Sequence, residues 1–257
     1  MNLSKEELLE QALRFTRKAG EHTLKYFRKR VDVEWKGDDS PVTRADREAE
    51  ELLRRLIMEA YPDHGIIGEE FGVYQPDAHV QWILDPVDGT LSFIHGIPLY
   101  TTLVGILVDG DPIIGLVYAP AMDEMVDAAV GMGTRLNGSS VTVRRCDSLG
   151  RATLLTTDIR NVEKYGFGPA HDALVESCYV HRTWGDAYGH MMVATGRADI
   201  MLDPILNIWD AAPLSTVLRE AGGIFMTRDG VEDIRAGHGI STGLGLKDQV
   251  LNILKTS

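Results

Sequence analysis

Apolar residues along the first sixty positions recur at helical spacing. Leu8, Ala12, Phe15, Ala19 and Tyr26 fall on one face, and Ser4 with Glu7 forms a capping box ahead of them, which predicts a helix from Ser4 to about Phe27. Val31 to Trp35 reads as a short strand, and Lys36-Gly37-Asp38-Asp39-Ser40-Pro41 as a loop of turn formers. A second helix, capped by Thr43, carries Ala45, Ala49, Leu52, Leu56 and Ala60 on its apolar side and stops before Pro62. From Gly65 the period changes. Gly65-Ile66-Ile67 and Gln81-Trp82-Ile83-Leu84 are short apolar runs that each end at acidic residues, the pattern of buried strands. Leu99 to Val108 and Pro112 to Ala119 flank Asp109-Gly110, a hairpin signature. Glu124 to Val130 and Ser140 to Arg144 extend the antiparallel set around turns at Gly131-Met132-Gly133 and Asn137-Gly138.

The second half alternates. Strands at Thr153–Thr157, Val180–Arg182, Ile200–Leu202 and Ile224–Met226 are interleaved with helices near Pro169–Cys178, Asp186–Thr195, Asp210–Ala221 and Leu246–Lys255. Alternation of this kind implies a layered α/β (α+β) architecture. A soft boundary at Arg145 to Arg151 divides the chain into an N-terminal lobe, residues 1–148, and a C-terminal lobe, 149–257, expected to pack as one unit around a shared site.

Composition narrows the function. The chain has 257 residues, 44% hydrophobic and 25% charged, with a formal net charge of −12. No Lys/Arg run is dense enough to neutralise a nucleic-acid backbone, so nucleic acid is excluded as a partner. Clustered carboxylates instead suit divalent cations, which in turn hold anionic substrates. Cys146 and Cys178 lack any paired spacing, which argues against a disulfide framework or a zinc knuckle. No apolar run is long enough for a membrane span and no signal-peptide core follows Met1, so the expected location is cytoplasmic.

The chemistry concentrates in Asp85-Pro86-Val87-Asp88-Gly89-Thr90. Two carboxylates three residues apart leave a strand and enter a stiff turn, where the Val87 carbonyl can join them as an oxygen donor to Mg²⁺. Gly89 permits close backbone approach, and a helical turn beginning after Thr90 would offer free amides to a phosphate. By itself the segment is equally a strand ending in two turns. Glu69, in Gly68-Glu69-Glu70-Phe71-Gly72, reads alone as a loop residue, and Asp210, in Trp209-Asp210-Ala211-Ala212-Pro213, as a helix cap. Asp46 completes a capping box with Thr43. What is specific is the three clusters together, each at a strand end or helix start.

In their order and spacing, Glu69-Glu70, Asp85-Pro86-Val87-Asp88-Gly89-Thr90 and Trp209-Asp210-Ala211-Ala212 resemble the motifs of the inositol monophosphatase superfamily, over nearly the whole chain. The resemblance implies an alternating α-β-α-β-α sandwich of the sugar-phosphatase type and a homodimer. It also implies two or three Mg²⁺ ions on Glu69, Asp85, the Val87 carbonyl, Asp88 and Asp210. Glu69 and Thr90, with Asp85, look like the catalytic set that positions and activates water. Gly89 and Thr90 resemble the phosphate-holding amides, with Asp210 counted among the substrate contacts. Lys36 resembles a mobile-loop lysine near the metals, and Asp46 an outer contact of one of them. The implied reaction is direct hydrolysis of a small phosphate monoester, with no covalent phospho-enzyme.

Three segments are more similar to the histidinol-phosphatase branch than to the inositol branch. They are Ser40-Pro41-Val42-Thr43-Arg44-Ala45-Asp46, Leu91-Ser92-Phe93-Ile94-His95-Gly96-Ile97-Pro98 and His181-Arg182-Thr183-Trp184-Gly185-Asp186-Ala187-Tyr188-Gly189. Histidinol presents an ammonium and an imidazole where inositol presents hydroxyls. A carboxylate at Asp186 would pair with the cation, and Trp184 would offer it an aromatic face. Arg182, Trp184 and Asp186 are therefore expected in the substrate pocket, although Asp186 as a helix cap and Trp184 as core describe the same letters. An inositol monophosphatase or a fructose-1,6-bisphosphatase-like enzyme is the alternative. Among the histidines, His95 and His190 are the two to inspect for proximity to substrate.

Overall fold

The computed structural model describes residues 4–30, 32–35, 37 and 41–256; Val31 and Lys36 lie outside the described residues. Helix α1 (Lys5–Thr23) is followed by a small ribbon, β1 (Val33–Trp35) and β2 (Pro41–Thr43), and by helix α2 (Arg44–Ala60). Strands β3 (Gly65–Gly68), β4 (Gly72–Tyr74) and β5 (Val80–Asp88) precede the short helix α3 (Thr90–Ile94). Then come β6 (Thr101–Val108), β7 (Asp111–Ala119), β8 (Glu124–Ala129), β9 (Gly133–Leu136) and β10 (Ser139–Val141). The second half runs β11 (Thr153–Thr156), α4 (Ile159–Lys164), α5 (Gly168–Ser177), β12 (Val180–Arg182), α6 (Asp186–Ala194) and β13 (Ile200–Asp203). It ends with α7 (Ile208–Glu220), β14 (Gly223–Met226), β15 (Gly239–Gly243) and α8 (Lys247–Thr256).

An eight-stranded sheet has the order β10-β9-β8-β7-β6-β5-β3-β4 and a five-stranded sheet the order β12-β11-β13-β15-β14. Alternating residues of each strand feed different cores, as period-two geometry requires. Trp82, Leu84, Val104, Ile106 and Leu116 pack against α1 and α2, whereas Ile83, Leu103 and Val117 face the other way, into a core shared with α6 and α7. The second sheet presents Leu155, Met201 and Phe225 to that same middle core, and Leu154, Ile200, Leu202 and Met226 to an outer core with α5 and α8. The fold is thus mixed α/β, in the α-β-α-β-α layering expected.

Several elements differ from expectation. Helix α1 stops at Thr23, and Tyr26 and Phe27 follow in turns, where Phe27 packs on Phe93 and Tyr100. The buried face of α2 carries Ala45, Ala49, Leu53 and Ile57 rather than Leu52, Leu56 and Ala60, and Ala60 is exposed. Strands β4, β9 and β15 and helix α4 escape the hydrophobic pattern: β4 is exposed throughout, and β15 is a buried Gly-Ile-Ser-Thr-Gly run with one large apolar residue. Asp109-Gly110 and Asn137-Gly138 both have positive φ at both positions, as two-residue hairpin turns require. None of the described helices is long and apolar enough to cross a membrane.

Candidate metal and phosphate site

Strands β3 and β5 are parallel neighbours, so their carboxyl ends reach the same edge. Gly68 pairs with Leu84, and the Glu69 amide donates to the Leu84 carbonyl at 3.1 Å, which sets Glu69 beside Asp85. The pairing of β5 with β6 shifts register between Asp85 and Asp88. The chain turns there: the Val87 amide donates to Asp85 Oδ1 at 3.0 Å and the Thr90 hydroxyl donates to the Val87 carbonyl at 3.0 Å. Gly89, at φ +77°, caps α3, whose first amides have no partner inside the helix. A Cβ at Gly89 would meet the Asp186 carboxylate at 3.0 Å, so glycine serves both the turn and the close approach.

Asp210 arrives from α7. It stands in the helix's first turn, where its Oδ2 accepts the Asn207 amide at 2.7 Å, so the capping role and the convergence on the site coexist. Carboxylate oxygens of Asp85, Asp88 and Asp210 lie within 4.8 Å of one another. Asp85 and Asp210 are buried, 3% and 8% exposed. Burial first, then repulsion from Glu69, Asp210 and Asp88, holds the Asp85 carboxyl well above its usual range. Asp210 is raised by burial and then by Asp88. Asp88 is pushed up to about 6 by burial, although the Ala187 amide at 2.9 Å and the Thr101 hydroxyl at 3.0 Å both donate to its Oδ2 and work against the shift. A packed set of buried and half-buried carboxylates whose charges repel fits a hard divalent cation, which would relieve the repulsion.

Asp46 does two things. Its Oδ2 accepts the Thr43 amide at 2.9 Å and the Thr43 hydroxyl at 2.5 Å, completing the expected capping box. Its Oδ1 lies 3.3 Å from the Thr90 hydroxyl, and burial pushes the carboxyl to about 6. Lys36 lies outside the described residues.

Next to the carboxylates opens a cavity of about 400 Å³ lined by Leu91, Leu99, Thr157, Arg160, Thr183 and Asp186, among others. Asp186 does not cap α6: Gly185 is the N-cap, and Asp186 is the first helical residue at φ +52°, with its amide donating to the Thr157 hydroxyl at 2.8 Å. A non-glycine residue in that region is strained and persists only where its surroundings hold it. Burial, then repulsion from Asp88, Asp203 and Asp210, raises the Asp186 carboxyl well above its usual range. Arg182 and Trp184 do not line the cavity. Arg182 is exposed and turns onto the His181 carbonyl at 2.7 Å, and Trp184 is 43% exposed rather than core.

The sequence pattern does not single out two residues of this wall, Asp203 and Thr157. Asp203, at the end of β13, is buried and pushed to about 7 by burial and by Asp88, and its Oδ2 accepts the Thr157 hydroxyl at 3.2 Å. Thr157 therefore ties Asp186 to Asp203. The one signal in the chain is an acidic residue ending an apolar strand, Ile200-Met201-Leu202-Asp203, the same signal that marks Asp85. Of the two histidines, His95 is exposed with its Nδ1 2.8 Å from the Leu91 carbonyl, whereas His190 is fully buried behind Asp203, with Nε2 4.0 Å from Oδ2.

Comparison with known proteins agrees with this geometry. The model of the Inositol monophosphatase family matches residues 4–253. A protein named histidinol-phosphatase from Chlorobaculum parvum is 40% identical over 90% of each chain. One of the same name from Mycobacterium tuberculosis is 35% identical over 86% of this chain and 87% of its own. A solved structure of an inositol monophosphatase from Zymomonas mobilis superposes with a TM-score of 0.88 at 30% identity, covering 99% of this chain and all of that one. With the acidic turn of β5, the adjoining end of β3 and the first turn of α7 meeting at one sheet edge, and with a family match spanning nearly every residue, the chain belongs to the inositol monophosphatase family.

Proposed function

We propose that the phosphatase chemistry of this family is directed here at L-histidinol phosphate, releasing L-histidinol and inorganic phosphate. Phosphoric monoester hydrolysis is the activity the family carries; the choice of ester is our reading. The observation that supports it is the pairing of Asp186, which lines the cavity, with the buried Asp203 behind it: both are tied to Thr157, and Asp203 repels Asp186. A cationic leaving group would relieve that repulsion; neutral hydroxyls would not. The names of the two relatives above point the same way.

In this reading Glu69, Asp85, the Val87 carbonyl, Asp88 and Asp210 hold two or three Mg²⁺ ions. When bound, Mg²⁺ supplies Lewis acidity, lowering the pKa of a ligated water and neutralising phosphoryl oxygens. The protein's share is positioning and proton handling. Glu69 and the Thr90 hydroxyl orient the water; as that hydroxyl accepts the water's proton it would pass its own, otherwise donated to the Val87 carbonyl, to Asp46 Oδ1, 3.3 Å away. The first amides of α3, at Gly89 and Thr90, receive phosphate oxygens. Asp186 pairs with the substrate cation, and Arg182 and Trp184 serve at most as outer contacts of its ring.

The test is turnover of histidinol phosphate, myo-inositol 1-phosphate and fructose 1,6-bisphosphate with Mg²⁺ at matched concentrations. Histidinol phosphate is expected to show the highest kcat/KM; equal or faster turnover of the inositol ester would replace this reading with the inositol one, which the likeness to the Zymomonas mobilis structure supports. The reading also takes the protein to be a cytoplasmic homodimer, and light scattering on the purified chain checks the dimer.

A further inference from the structure

Glu50 is a wholly buried carboxylate that the proposed chemistry does not use. It lies on the inner face of α2, one turn beyond Asp46, and points at the turn that follows β3. Its Oε2 accepts the Glu70 amide at 2.8 Å and its Oε1 the Phe71 amide at 3.2 Å. Arg54, one turn further on, donates Nε to Oε1 at 2.8 Å and a second guanidinium nitrogen to the Gly72 carbonyl, and stacks 5.9 Å over the Phe71 ring. Gly68 leaves the room: a Cβ there would overlap the Glu50 carboxylate. The amide before the Glu69 Cα is thus pinned to β5 and the amide after it to Glu50.

We infer that Glu50, clamped by Arg54 and admitted by Gly68, is a positioning residue that fixes the backbone of Glu69 and so sets the affinity of the site for its divalent cation. A charged acceptor on two successive amides holds a turn more firmly than a neutral one, and groups that orient a ligand residue typically control about 10–100-fold in metal affinity. A glutamine at this position keeps the volume. It loses the charge, sets an NH2 donor where one of the two accepting oxygens stood, and leaves Arg54 without its anion.

The inference rests on the reading that Glu69 is a metal ligand, and the experiment separates the two. Chelator-treated full-length protein, wild type and the variants E50Q, G68A and E69Q, is titrated with Mn²⁺ and the free ion followed by electron paramagnetic resonance; the Mg²⁺ dependence of phosphate release is measured alongside. E50Q is expected to weaken Mn²⁺ binding about tenfold or more while KM for the ester at saturating Mg²⁺ changes less than about threefold. G68A, which keeps the carboxylate but takes its space, should shift Mn²⁺ affinity the same way. Wild-type Mn²⁺ affinity in folded E50Q, with E69Q weakened, overturns the positioning role alone. Wild-type affinity in E69Q overturns the metal-ligand reading beneath it. A fall in kcat or melting temperature of E50Q without any change in Mn²⁺ affinity also overturns the positioning role. Should E50Q not fold, folded G68A decides the matter by the same titration: weakened Mn²⁺ binding supports the positioning role, and wild-type binding overturns it.

Discussion

The wall that carries Glu69, Asp85, Asp88 and Asp210 and the wall that carries Thr157, Asp186 and Asp203 are both acidic and both mix buried with half-buried groups, yet they are held in different ways. The first stands on elements whose backbones touch. Strands β3 and β5 are hydrogen-bonded neighbours, and α7 lies so close to β6 and β7 that a Cβ at Gly105 would meet Pro213 Cδ at 3.2 Å and one at Gly115 would overlap the Pro213 carbonyl. The second hangs from the ends of β11 and β13 and from a strained first residue of α6, joined through one threonine hydroxyl. A site on rigid elements keeps its geometry; one on strand ends and loops can change its chemistry without disturbing the scaffold. In the proposed reading the first wall carries the reaction and the second the choice of substrate.

The comparison breaks most directly at Asp85. Asp85→Asn is expected to reduce Mg²⁺-dependent phosphate release by about 10³-fold or more on every ester, since it removes a charge from the centre of the cluster. Activity surviving on any ester would unseat the first wall as the reaction centre. Asp186→Ala should instead lower the preference for histidinol phosphate over inositol phosphate by about 10–100-fold in kcat/KM, with the Mg²⁺ requirement intact. An unchanged preference removes Asp186 from specificity.

Smaller effects test how the walls are supported. Gly115→Ala drives a methyl group into the backbone of α7 and should cost about 1–3 kcal/mol of stability in urea unfolding. Full stability would mean that α7 is not seated as tightly as the glycines indicate. The carboxylates give a pH test. Asp46 and Asp88 near 6 and Asp203 near 7 all stand above the ordinary 3.8. The stability they contribute is therefore present below about pH 4 and lost as pH rises through their folded values. In chelator the melting temperature should fall between pH 5 and pH 8, and Mg²⁺ should restore more at pH 8 than at pH 5; a flat profile would mean that the repulsion is already compensated. The smallest change is expected for Trp184→Ala, within about 0.5 kcal/mol of wild-type stability because the ring is exposed. A loss of substrate discrimination matching Asp186→Ala would instead bring Trp184 into the pocket.

Much of the first wall is legible in the linear chain because each of its strand residues closes an apolar run: Asp85 ends Trp82-Ile83-Leu84, and Glu69 follows Ile66-Ile67. Their convergence is non-local and becomes visible only in the order of three motifs. Asp203 carries the same kind of signal without a motif to single it out, and Thr157 carries none, since a hydroxyl that accepts from one segment and donates to another is defined by the fold alone. Glu50 is legible in principle as a charge on the buried stripe with Ala49, Leu53 and Ile57, but the helical pattern places that stripe equally well through Leu52 and Leu56. A helix with leucines on adjacent positions has a wide apolar face, and only packing decides which edge points inward. Strand β15 is invisible for a related reason: Gly239, Ser241, Thr242 and Gly243 are buried between neighbours, where hydrogen bonding rather than hydrophobicity places them.

The seat of α7 against Gly105 and Gly115 has a consequence for the order in which the protein can become competent. Asp85 and Asp88 are made early in the chain, but Asp210 joins them only when α7, from the other half, has been synthesised and pressed onto β6 and β7. Contacts so distant in sequence carry a large loop-closure cost. In the proposed reading an incomplete or half-folded chain therefore holds an open pair of aspartates rather than a finished cation trap, and divalent-ion affinity would report assembly: full-strength binding is expected only once the two halves have closed on each other.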